Sequence, residues 1–173
     1  MDVSVGERTC AGRRAMELGP LVRGDDGVWM LGDKEGKPGA GWILFLPDGL
    51  EHWDHGVRQP VVPWSRLMLM ESVGPLWRNR TRVPPALIVT VRHPYETWTA
   101  RFTRHPHRYA GTHMYFLQEL FRQVINEGEA ACLGDPEWLA QVVDELAPQR
   151  MPWSWKAFGE AVTRARKSAT AAI

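Results

Sequence analysis

The sequence predicts an α+β protein, in which a strongly bent antiparallel sheet or small barrel is capped by an amphipathic helix and followed by a helical C-terminal extension. In the N-terminal part of the chain, short apolar runs alternate with turn residues, which is typical of antiparallel strands. From Thr112 onward, apolar residues recur at helical spacing in three segments. Because the strands precede the helices instead of alternating with them, a parallel sheet is not favoured.

The hairpin around residues 42–53 organises the predicted sheet. Trp42 to Leu46 is an apolar run that ends at Pro47-Asp48-Gly49, a composition typical of a type I turn followed by a left-handed glycine. The chain resumes as Leu50-Glu51-His52-Trp53, which predicts the second strand of the hairpin. A third apolar run, Arg66 to Val73, follows within hairpin-loop distance. The three runs therefore predict a continuous antiparallel meander.

The segments before this hairpin are less regular. Residues 1–26 carry no sustained period and predict an extended arm, in which Met16 to Val22 forms an edge strand interrupted by Gly19-Pro20. Val28 to Leu31 is short and apolar enough to form a strand. Gly32 to Gly41 is rich in Gly, Pro and charged residues, so it predicts a loop.

Two further strands precede the helices. Gly74 to Pro85 predicts a second long loop, and the β-branched run Leu87 to Val91 predicts a strand after it. Tyr95 to Thr103 then alternates between apolar and polar residues. This alternation predicts a strand with one wet face and one buried face, the latter carrying Trp98, Ala100 and Phe102.

The first two helices carry recognisable end signals. Thr112 is a candidate N-cap and Gly128 a candidate C-terminal residue of an amphipathic helix that would lie on the sheet. Asp135 followed by Pro136 predicts the start of the second helix, because a capping side chain precedes a proline at the first helical position. Pro148 ends that helix.

The third helix is predicted over Ser154 to Ser168. Its apolar stripe consists of Trp155, Phe158, Val162 and Ala165. Cationic side chains lie near its C-terminal end, where they suit the helix dipole: Arg164, Arg166 and Lys167.

Length and cysteine content indicate a single domain in a reducing compartment. A chain of 173 residues can bury a sufficient core without disulfides or metal ions. Cys10 and Cys132 lack the spacing of a redox or metal motif, and no signal peptide or membrane-spanning run is present. We therefore expect a soluble, cytoplasmic protein.

The net charge of +1 hides an uneven distribution. Residues 75–113 contain seven basic and one acidic side chain, whereas residues 114–152 contain two basic and seven acidic ones. Because the excess of basic side chains is confined to part of the chain, the sequence does not favour attraction of the whole protein to nucleic acid or to a membrane surface. A single cationic face remains an open alternative.

Four sequence elements together resemble the pleckstrin-homology-like (PH-like) superfamily, particularly its bacterial members. They are the apolar strand Leu44 to Leu46, the turn Asp48-Gly49-Leu50, Trp53, and the segment Val62-Pro63-Trp64-Ser65 that leads into the next strand. The resemblance covers residues 27–127. It implies a sheet closed by one helix, and a binding or adaptor module without catalysis.

The resemblance also divides the chain into three parts. These are an N-terminal arm (1–26), a PH-like domain (27–128) and a helical C-terminal extension (129–173), and we expect the PH-like domain to fold without the extension. Family members that bind phosphoinositides tend to have a cationic first hairpin loop, whereas the loop Asp33 to Lys37 is nearly balanced here. Lipid binding is therefore not favoured.

The sequence contains no recognisable catalytic or nucleotide-binding motif, so we predict a protein that is not an enzyme and needs no cofactor. The pairs His52/His55 and His105/His107 have a spacing found among metal ligands. However, residues three apart on a strand point to opposite faces, and Pro106 stiffens the second pair, so we predict no metal site. A small metal-dependent hydrolase is the third alternative for the function.

The nine tryptophans differ in their sequence context. Three lie on apolar stripes and are expected in the core: Trp42, Trp98 and Trp138. Four lie in loops or near helix starts and are candidates for a contact surface: Trp64, Trp77, Trp153 and Trp155. With Phe158, the last two form the candidate surface of the C-terminal extension.

The Arg-rich segment Trp77 to Arg82 is the other candidate site. In an extended conformation Arg78, Arg80 and Arg82 project to the same side, and no acidic residue lies between Ser72 and Tyr95 to neutralise them. Guanidinium groups donate paired hydrogen bonds to phosphate and carboxylate. We therefore predict a protein partner first and an anionic ligand second, with a nucleic-acid-associated protein as the alternative. The sequence predicts no oligomeric state.

Overall fold

The computed structural model describes residues 17–32, 41–54, 56–73, 76–78, 81–83, 86–101, 111–150 and 152–172. These residues form antiparallel strands and three α-helices, which confirms the α+β class. The strands are β1 (Glu17–Leu18), β2 (Leu21–Arg23), β3 (Trp29–Gly32), β4 (Gly41–Leu46), β5 (Gly49–Asp54), β6 (Val57–Arg58), β7 (Val62–Pro63), β8 (Leu67–Val73), β9 (Leu76–Arg78), β10 (Thr81–Val83), β11 (Ala86–Val91) and β12 (Glu96–Arg101). The helices are α1 (Gly111–Asn126), α2 (Pro136–Leu146) and α3 (Trp155–Ala171). Short 3-10 helices lie at Trp64–Arg66 and Ala130–Gly134.

The strands form two sheets and a separate hairpin. In the larger sheet β1 to β6 follow one another in chain order, and β7 also pairs with β5. In the smaller sheet β11 lies between β8 and β12, while β9 and β10 have no other pairing partner among the residues that the structure describes. The predicted continuous meander is therefore wrong at β8. The short strands β6 and β7 occupy the edge of β5, and the 3-10 helix after β7 redirects the chain into the second sheet.

The predicted small barrel is not closed within the described residues. β12 lies close to β3 and β4, but no backbone ladder joins it to the larger sheet. A side-chain contact also joins β12 to β5, since Trp98 stacks on His52 with ring centroids 4.8 Å apart. Trp98 is thus partly buried against the core, as predicted.

The organising hairpin forms as predicted. Leu46 pairs with Gly49 across the two-residue turn Pro47-Asp48. Residue 49 must be a glycine, because a Cβ at this position would lie 2.1 Å from the carbonyl oxygen of Val62. β7 can therefore approach β5 closely at this point.

Two segments outside the organising hairpin form hairpins of their own. The predicted edge strand Met16 to Val22 is one of them: β1 and β2 pair across Gly19-Pro20, where the sequence predicts an interruption, and Leu18 and Leu21 are fully buried. The predicted loop between Gly74 and Pro85 contains the β9–β10 hairpin, in which Leu76 pairs with Val83. The predictions for residues 1–16, for the loop segment 33–40, which includes Asp33 to Lys37, and for Phe102 lie outside the described residues.

The helix ends follow their local signals in most cases. The Asp135 carboxylate accepts the backbone N–H groups of Glu137 and Trp138, at 3.0 and 3.1 Å, and so caps α2 as predicted. Gly128 has a φ of 75°, as expected of a residue that ends a helix. The prediction of Thr112 as an N-cap is wrong, because α1 already begins at Gly111.

A single apolar core joins the sheets to all three helices. It includes Leu18 and Leu21 from the N-terminal hairpin and Leu133, Leu146 and Phe158 from the segment after residue 128. The division of the chain into an arm, a domain and an extension stays a prediction. The shared core nevertheless leads us to expect that residues 129–173 contribute to folding.

Candidate functional site

Two buried tryptophans connect the C-terminal helices to the rest of the fold. The indole N–H of Trp29, on β3, donates to the carbonyl oxygen of Pro136 at the start of α2, at 3.0 Å. The indole N–H of Trp138, on α2, donates to the Thr170 hydroxyl on α3, at 3.2 Å. Trp138 and Trp42 are both buried, as predicted. Because the rings of Trp29, Trp42 and Trp138 are buried in the fold, none of them is available to contact a partner.

Trp64 is also part of the core, which corrects its prediction as a surface residue. Its side chain is only 7% exposed, and its indole N–H donates to the carbonyl oxygen of Leu46 at 3.0 Å. Gly134 lies against this ring, because a Cβ on residue 134 would be 2.8 Å from the indole nitrogen. The 3-10 helix at Trp64–Arg66 buries the ring that the sequence pattern places in a loop.

In contrast, Trp153 and Trp155 lie at the surface, at the N-terminal end of α3. Their exposed fractions are 93% and 69%, and neither indole N–H has a hydrogen-bond acceptor among the described residues. Tyr115, on α1, is 40% exposed and lies beside Trp155. We call these three residues the aromatic surface.

The aromatic surface rests on a stack of rings that reaches the core. The rings of Tyr115 and Trp155 meet edge to face, with centroids 5.0 Å apart and an interplanar angle of 88°. Both contact Phe158, at 5.7 Å in each case, and Phe158 contacts the fully buried Phe116 at 5.0 Å. Such edge-to-face and tilted pairs are favourable arrangements for aromatic rings.

Phe158 supports this surface from below. It is a predicted site residue, but its ring is buried, so a partner would contact Trp155 and Tyr115 above it. The position of Trp155 is fixed by the helix start, since the Ser154 hydroxyl accepts the backbone N–H of Ala157 at 3.2 Å. Trp155 and Tyr115 are therefore held in place by ring contacts before any partner arrives.

Beyond the aromatic surface, α1 and α3 run parallel and meet through polar groups. Tyr115 faces Trp155 and Gln123 faces Thr163, and in each pair the two residues are 40 positions apart in the sequence. Gly159 allows the close approach, because a Cβ on it would lie 3.2 Å from the Glu119 carboxylate. We call this polar contact between α1 and α3, including Arg166, the polar seam.

Gln123 is the centre of the polar seam. Its side-chain N–H groups donate to the Glu119 carboxylate at 2.8 Å and to the Gly159 carbonyl oxygen at 2.9 Å. Its side-chain oxygen accepts from the Thr163 hydroxyl at 3.1 Å and from Arg166 Nη1 at 2.9 Å. The buried amide thus uses two donors and two acceptor positions, which is its full capacity.

Arg166 closes the far end of the polar seam. It is only 6% exposed, and its Nη2 donates to Glu127 at 2.7 Å and to Glu129 at 2.6 Å. Its Nε has no acceptor among the described residues. Arg166, one of the cations predicted near the C-terminal end of α3, is therefore buried between two half-exposed carboxylates.

These contacts shift the pKa of several groups. The hydrogen bond from Arg122 holds the pKa of Glu119 below its ordinary value, although partial burial opposes the effect. The hydrogen bond from Arg166 likewise lowers the pKa of Glu127. Burial acts to lower the pKa of Arg166, but its bonds to Glu127 and Glu129 outweigh burial and raise it. Glu119, Glu127 and Arg166 are therefore ionised at neutral pH.

The Arg-rich candidate site is only partly described. Arg78 lies on β9 opposite Thr81, and Arg82 lies on β10 opposite Trp77. Arg78 and Arg82 are therefore on two antiparallel strands and not on one extended segment. Arg80 lies outside the described residues. Binding of an anionic ligand by this segment stays a prediction.

The predicted histidine pairs receive no support as a metal site. His52 is buried and stacked on Trp98, whereas His55, His105 and His107 lie outside the described residues. In the described part of the chain, no group of three or more His, Cys, Asp or Glu residues is placed to hold a metal ion.

None of the described helices has the length and apolar character that crossing a membrane requires.

The sequence pattern does not mark Tyr115, Gln123 or Arg166 as site residues. Tyr115 and Gln123 fall on the polar side of a helical pattern, where exposure is the ordinary expectation. A local signal did exist at Gly159, because a glycine inside a helical pattern often marks a close packing contact. The partner of that contact could not be found from the sequence, since it lies on a different helix.

Comparisons of the chain with protein-family models, with curated proteins and with solved structures found no match.

Proposed function

We propose that the protein is a non-catalytic binding module that contacts a protein partner through its aromatic surface. The observation that carries the proposal is the exposure of two tryptophans near the start of α3, Trp153 at 93% and Trp155 at 69%, of which Trp155 packs on a ring that contacts the core. Binding energy at protein interfaces is concentrated in a few residues, among which Trp and Tyr are enriched. A pre-positioned ring also loses little conformational entropy on binding.

The size of the aromatic surface supports this role. A tryptophan buries roughly 200 Å² when it is fully covered, so Trp153 and Trp155 together expose roughly 300 Å² of mostly apolar area. The largest apolar patch on a monomeric protein is about 300–600 Å² and is often functional. Covering both rings would therefore provide a substantial part of the free energy of a protein contact.

The PH-like resemblance is consistent with the same proposal. The Asp48-Gly49 turn joins two paired strands, the Val62-Pro63-Trp64 segment leads into a strand of the second sheet, and α1 lies on β8. We therefore propose a PH-like fold for residues 27–127. Within such a fold, the aromatic surface would combine a side chain of the closing helix, Tyr115, with two from the C-terminal extension.

Affinity capture tests this proposal. The tagged full chain would be incubated with extract of the native host, and bound proteins would be quantified for wild type and for Trp153→Ala and Trp155→Ala variants. Tyr95→Ala is a matched control, because Tyr95 is 71% exposed but lies on the turn between β11 and β12. We expect both tryptophan variants to lose a protein that wild type and Tyr95→Ala retain. Equal recovery by all four proteins would refute the proposal.

A triple variant separates the two candidate sites. Replacing Arg78, Arg80 and Arg82 by glutamine leaves the aromatic surface intact, so the proposal predicts that the same partner is recovered. If capture weakens in the triple variant and persists in the tryptophan variants, the Arg-rich segment is the binding site instead.

A further inference from the structure

His113, at the start of α1, lies between two other parts of the fold and bonds to both. Its Nδ1 accepts the backbone N–H of Gly19, in the turn between β1 and β2, at 3.2 Å. Its Nε2 lies 3.0 Å from the carbonyl oxygen of Ala147, the residue that ends α2. Gly19 precedes the ring by 94 positions and Ala147 follows it by 34. One side chain therefore joins three segments that are distant in the sequence.

The two main-chain partners specify one protonation state of the His113 ring. A backbone N–H can only donate a hydrogen bond, so Nδ1 must carry no proton in order to accept from Gly19. A backbone carbonyl oxygen can only accept, so Nε2 must carry a proton in order to donate to Ala147. The neutral ring with its proton on Nε2 meets both requirements. In the protonated ring both nitrogens are donors, and the Nδ1–H group would face the Gly19 N–H.

The turn that His113 holds fits closely against the start of α1. Gly19 has a φ of 60°, and a Cβ on it would lie 3.3 Å from the His113 Cβ. Leu18 and Leu21, on either side of the turn, are fully buried in the core. Loss of the Gly19 bond would therefore loosen the turn against α1, while the two leucines keep the hairpin on the core.

The end of α2 suits the protonated form of the ring. Ala147 is the C-cap of α2, so its carbonyl oxygen is among the last of the helix, which have no acceptor role within it. These carbonyl groups form the negative end of the helix dipole, where a cationic side chain is stabilised. A protonated His113 can therefore keep its bond to Ala147 while it loses the bond to Gly19.

Charged side chains near His113 do not bond to the ring within the described part of the chain. Those on the elements around it are Glu17 and Arg23 on the N-terminal hairpin, Asp144 and Glu145 in the last turn of α2, Arg150 beyond it, Lys156 at the start of α3, and Glu119 on α1. Arg23 pairs with Glu137 instead, and Glu119 pairs with Arg122. The two main-chain bonds therefore decide which segments each form of the ring can join.

We propose that His113 is a pH-sensitive switch between the N-terminal hairpin and α2. The neutral ring joins the β1–β2 turn to the end of α2. When the ring takes up a proton from solvent, it stays on α2 and releases the turn. Histidine is the side chain whose charge ordinarily changes between about pH 5 and 8, so a modest acidification is sufficient. This inference does not rest on the proposed function.

NMR of the ¹⁵N-labelled full chain tests the switch in the wild-type protein. Correlations between ring protons and ring nitrogens identify the tautomer of neutral His113, which should carry its proton on Nε2. The pH is then lowered from about 8 to about 5, and hydrogen exchange of the Gly19 amide is measured relative to its intrinsic rate at each pH. We expect the protection of this amide to fall by about threefold to tenfold as the ring is protonated, because one hydrogen bond contributes a factor of this size.

A second glycine amide and two variants are the controls. Gly24 donates to the carbonyl oxygen of Val28 at 2.8 Å, and this acceptor does not titrate, so the protection of Gly24 should stay constant. His113→Gln removes the titrating ring and should abolish the pH dependence at Gly19. His93→Gln should leave it unchanged, because His93 is exposed on the turn between β11 and β12.

Four outcomes would overturn the inference. They are a proton on Nδ1 in the neutral ring, a protection of Gly19 that does not follow protonation of the ring, an equal loss of protection at Gly24, and an unchanged pH dependence in His113→Gln. If His113→Gln does not fold, the wild-type titration and the Gly24 amide still decide the question.

Discussion

Five tryptophans of this protein form two groups that differ in the hydrogen bonding of the indole N–H. Trp29, Trp64 and Trp138 are buried, and each donates to a group on another element of the fold. Trp153 and Trp155 are exposed and have only ring contacts or none. A buried indole must satisfy its N–H to offset the cost of leaving water, whereas an exposed one keeps it for water or for a partner.

Tryptophan content alone therefore does not indicate a binding surface. The buried group joins β3 to α2 and α2 to α3, so its function is to hold the C-terminal helices on the sheet. In the exposed pair, no ring contact or indole hydrogen bond is shown for Trp153 among the described residues, and Trp155 packs on Phe158 and Tyr115. We therefore expect substitutions of the buried tryptophans to lower stability, and substitutions of the exposed tryptophans to weaken binding with little effect on stability.

The largest expected effect is that of removing residues 129–173. Truncation after Gly128 would leave the Trp29 N–H without the Pro136 carbonyl and Arg23 without its ion-pair partner Glu137. It would also expose the part of the core covered by Leu133 and Leu146. We expect the truncated protein to be insoluble or to melt without cooperativity in a calorimeter. A cooperative transition near the wild-type temperature would show instead that residues 27–128 fold alone.

Two single substitutions in the full chain compare a buried tryptophan with an exposed one. Trp138→Ala should destabilise the protein by about 3–5 kcal/mol, because it removes a fully packed ring and its bond to Thr170. Trp153→Ala should change stability by less than about 0.5 kcal/mol, since its ring is exposed. Urea denaturation followed by circular dichroism measures both. Similar losses of unfolding free energy in the two variants would contradict the division into buried and exposed tryptophans.

Gly134 tests the packing around a buried indole without altering the ring. A Cβ on residue 134 would lie 2.4 Å from the Leu46 carbonyl oxygen and 2.8 Å from the Trp64 indole nitrogen. We expect Gly134→Ala to cost about 1–3 kcal/mol of unfolding free energy. Gly111→Ala is the control, because a Cβ there meets no atom within 4 Å. It should be neutral or slightly stabilising, and equal effects at both positions would contradict the steric explanation.

The smallest expected effect concerns the pH dependence of the polar seam. The pKa of Glu127 is lowered in the folded protein, below the ordinary value of 4.5, by its hydrogen bond from Arg166. Its stabilising contribution is therefore present above about pH 5 and is lost as the pH falls through the folded-state pKa. Because the carboxylate is half-exposed, this contribution should be below about 1 kcal/mol.

Comparison of wild type with Glu127→Gln measures this contribution. The difference in unfolding free energy between the two proteins should be smaller at pH 3.5 than at neutral pH. Protonation at low pH removes the negative charge of Glu127 in wild type, and the substitution removes the same charge in the variant. Urea titrations at both pH values give the difference directly. A difference that does not change with pH would mean that the ion pair with Arg166 makes no net contribution.

Much of the fold could be predicted because its signals are local. The Pro47-Asp48-Gly49 turn and the Asp135-Pro136 helix start each depend on a few adjacent residues, and both were found correctly. The β9–β10 hairpin was missed because proline and arginine around it resemble a loop. The pairing of β8 with β11 was missed because strand partners depend on long-range packing, which local patterns do not encode.

The candidate site was predictable to a smaller extent. Trp153 and Trp155 were selected from their position before a helix, and both are exposed. The same criterion failed for Trp64, because a buried contact with Leu46 and Gly134 decides its environment. The Gln123–Arg166 contact joins residues 43 positions apart and requires knowledge of how α1 and α3 pack. Such pairs become visible only in three dimensions.

Photo-cross-linking from the edge of the aromatic surface is a direct test of whether this surface binds a protein partner. A photoreactive amino acid would replace Lys156, which is 86% exposed and adjacent to Trp155, and in a second protein it would replace Tyr95. After irradiation in cells of the native host, we predict a discrete cross-linked product from position 156 that is absent from position 95 and disappears when Trp155 is also changed to Ala. The absence of such a product at position 156, or the same products from both positions, would contradict the claim that this surface binds a protein partner.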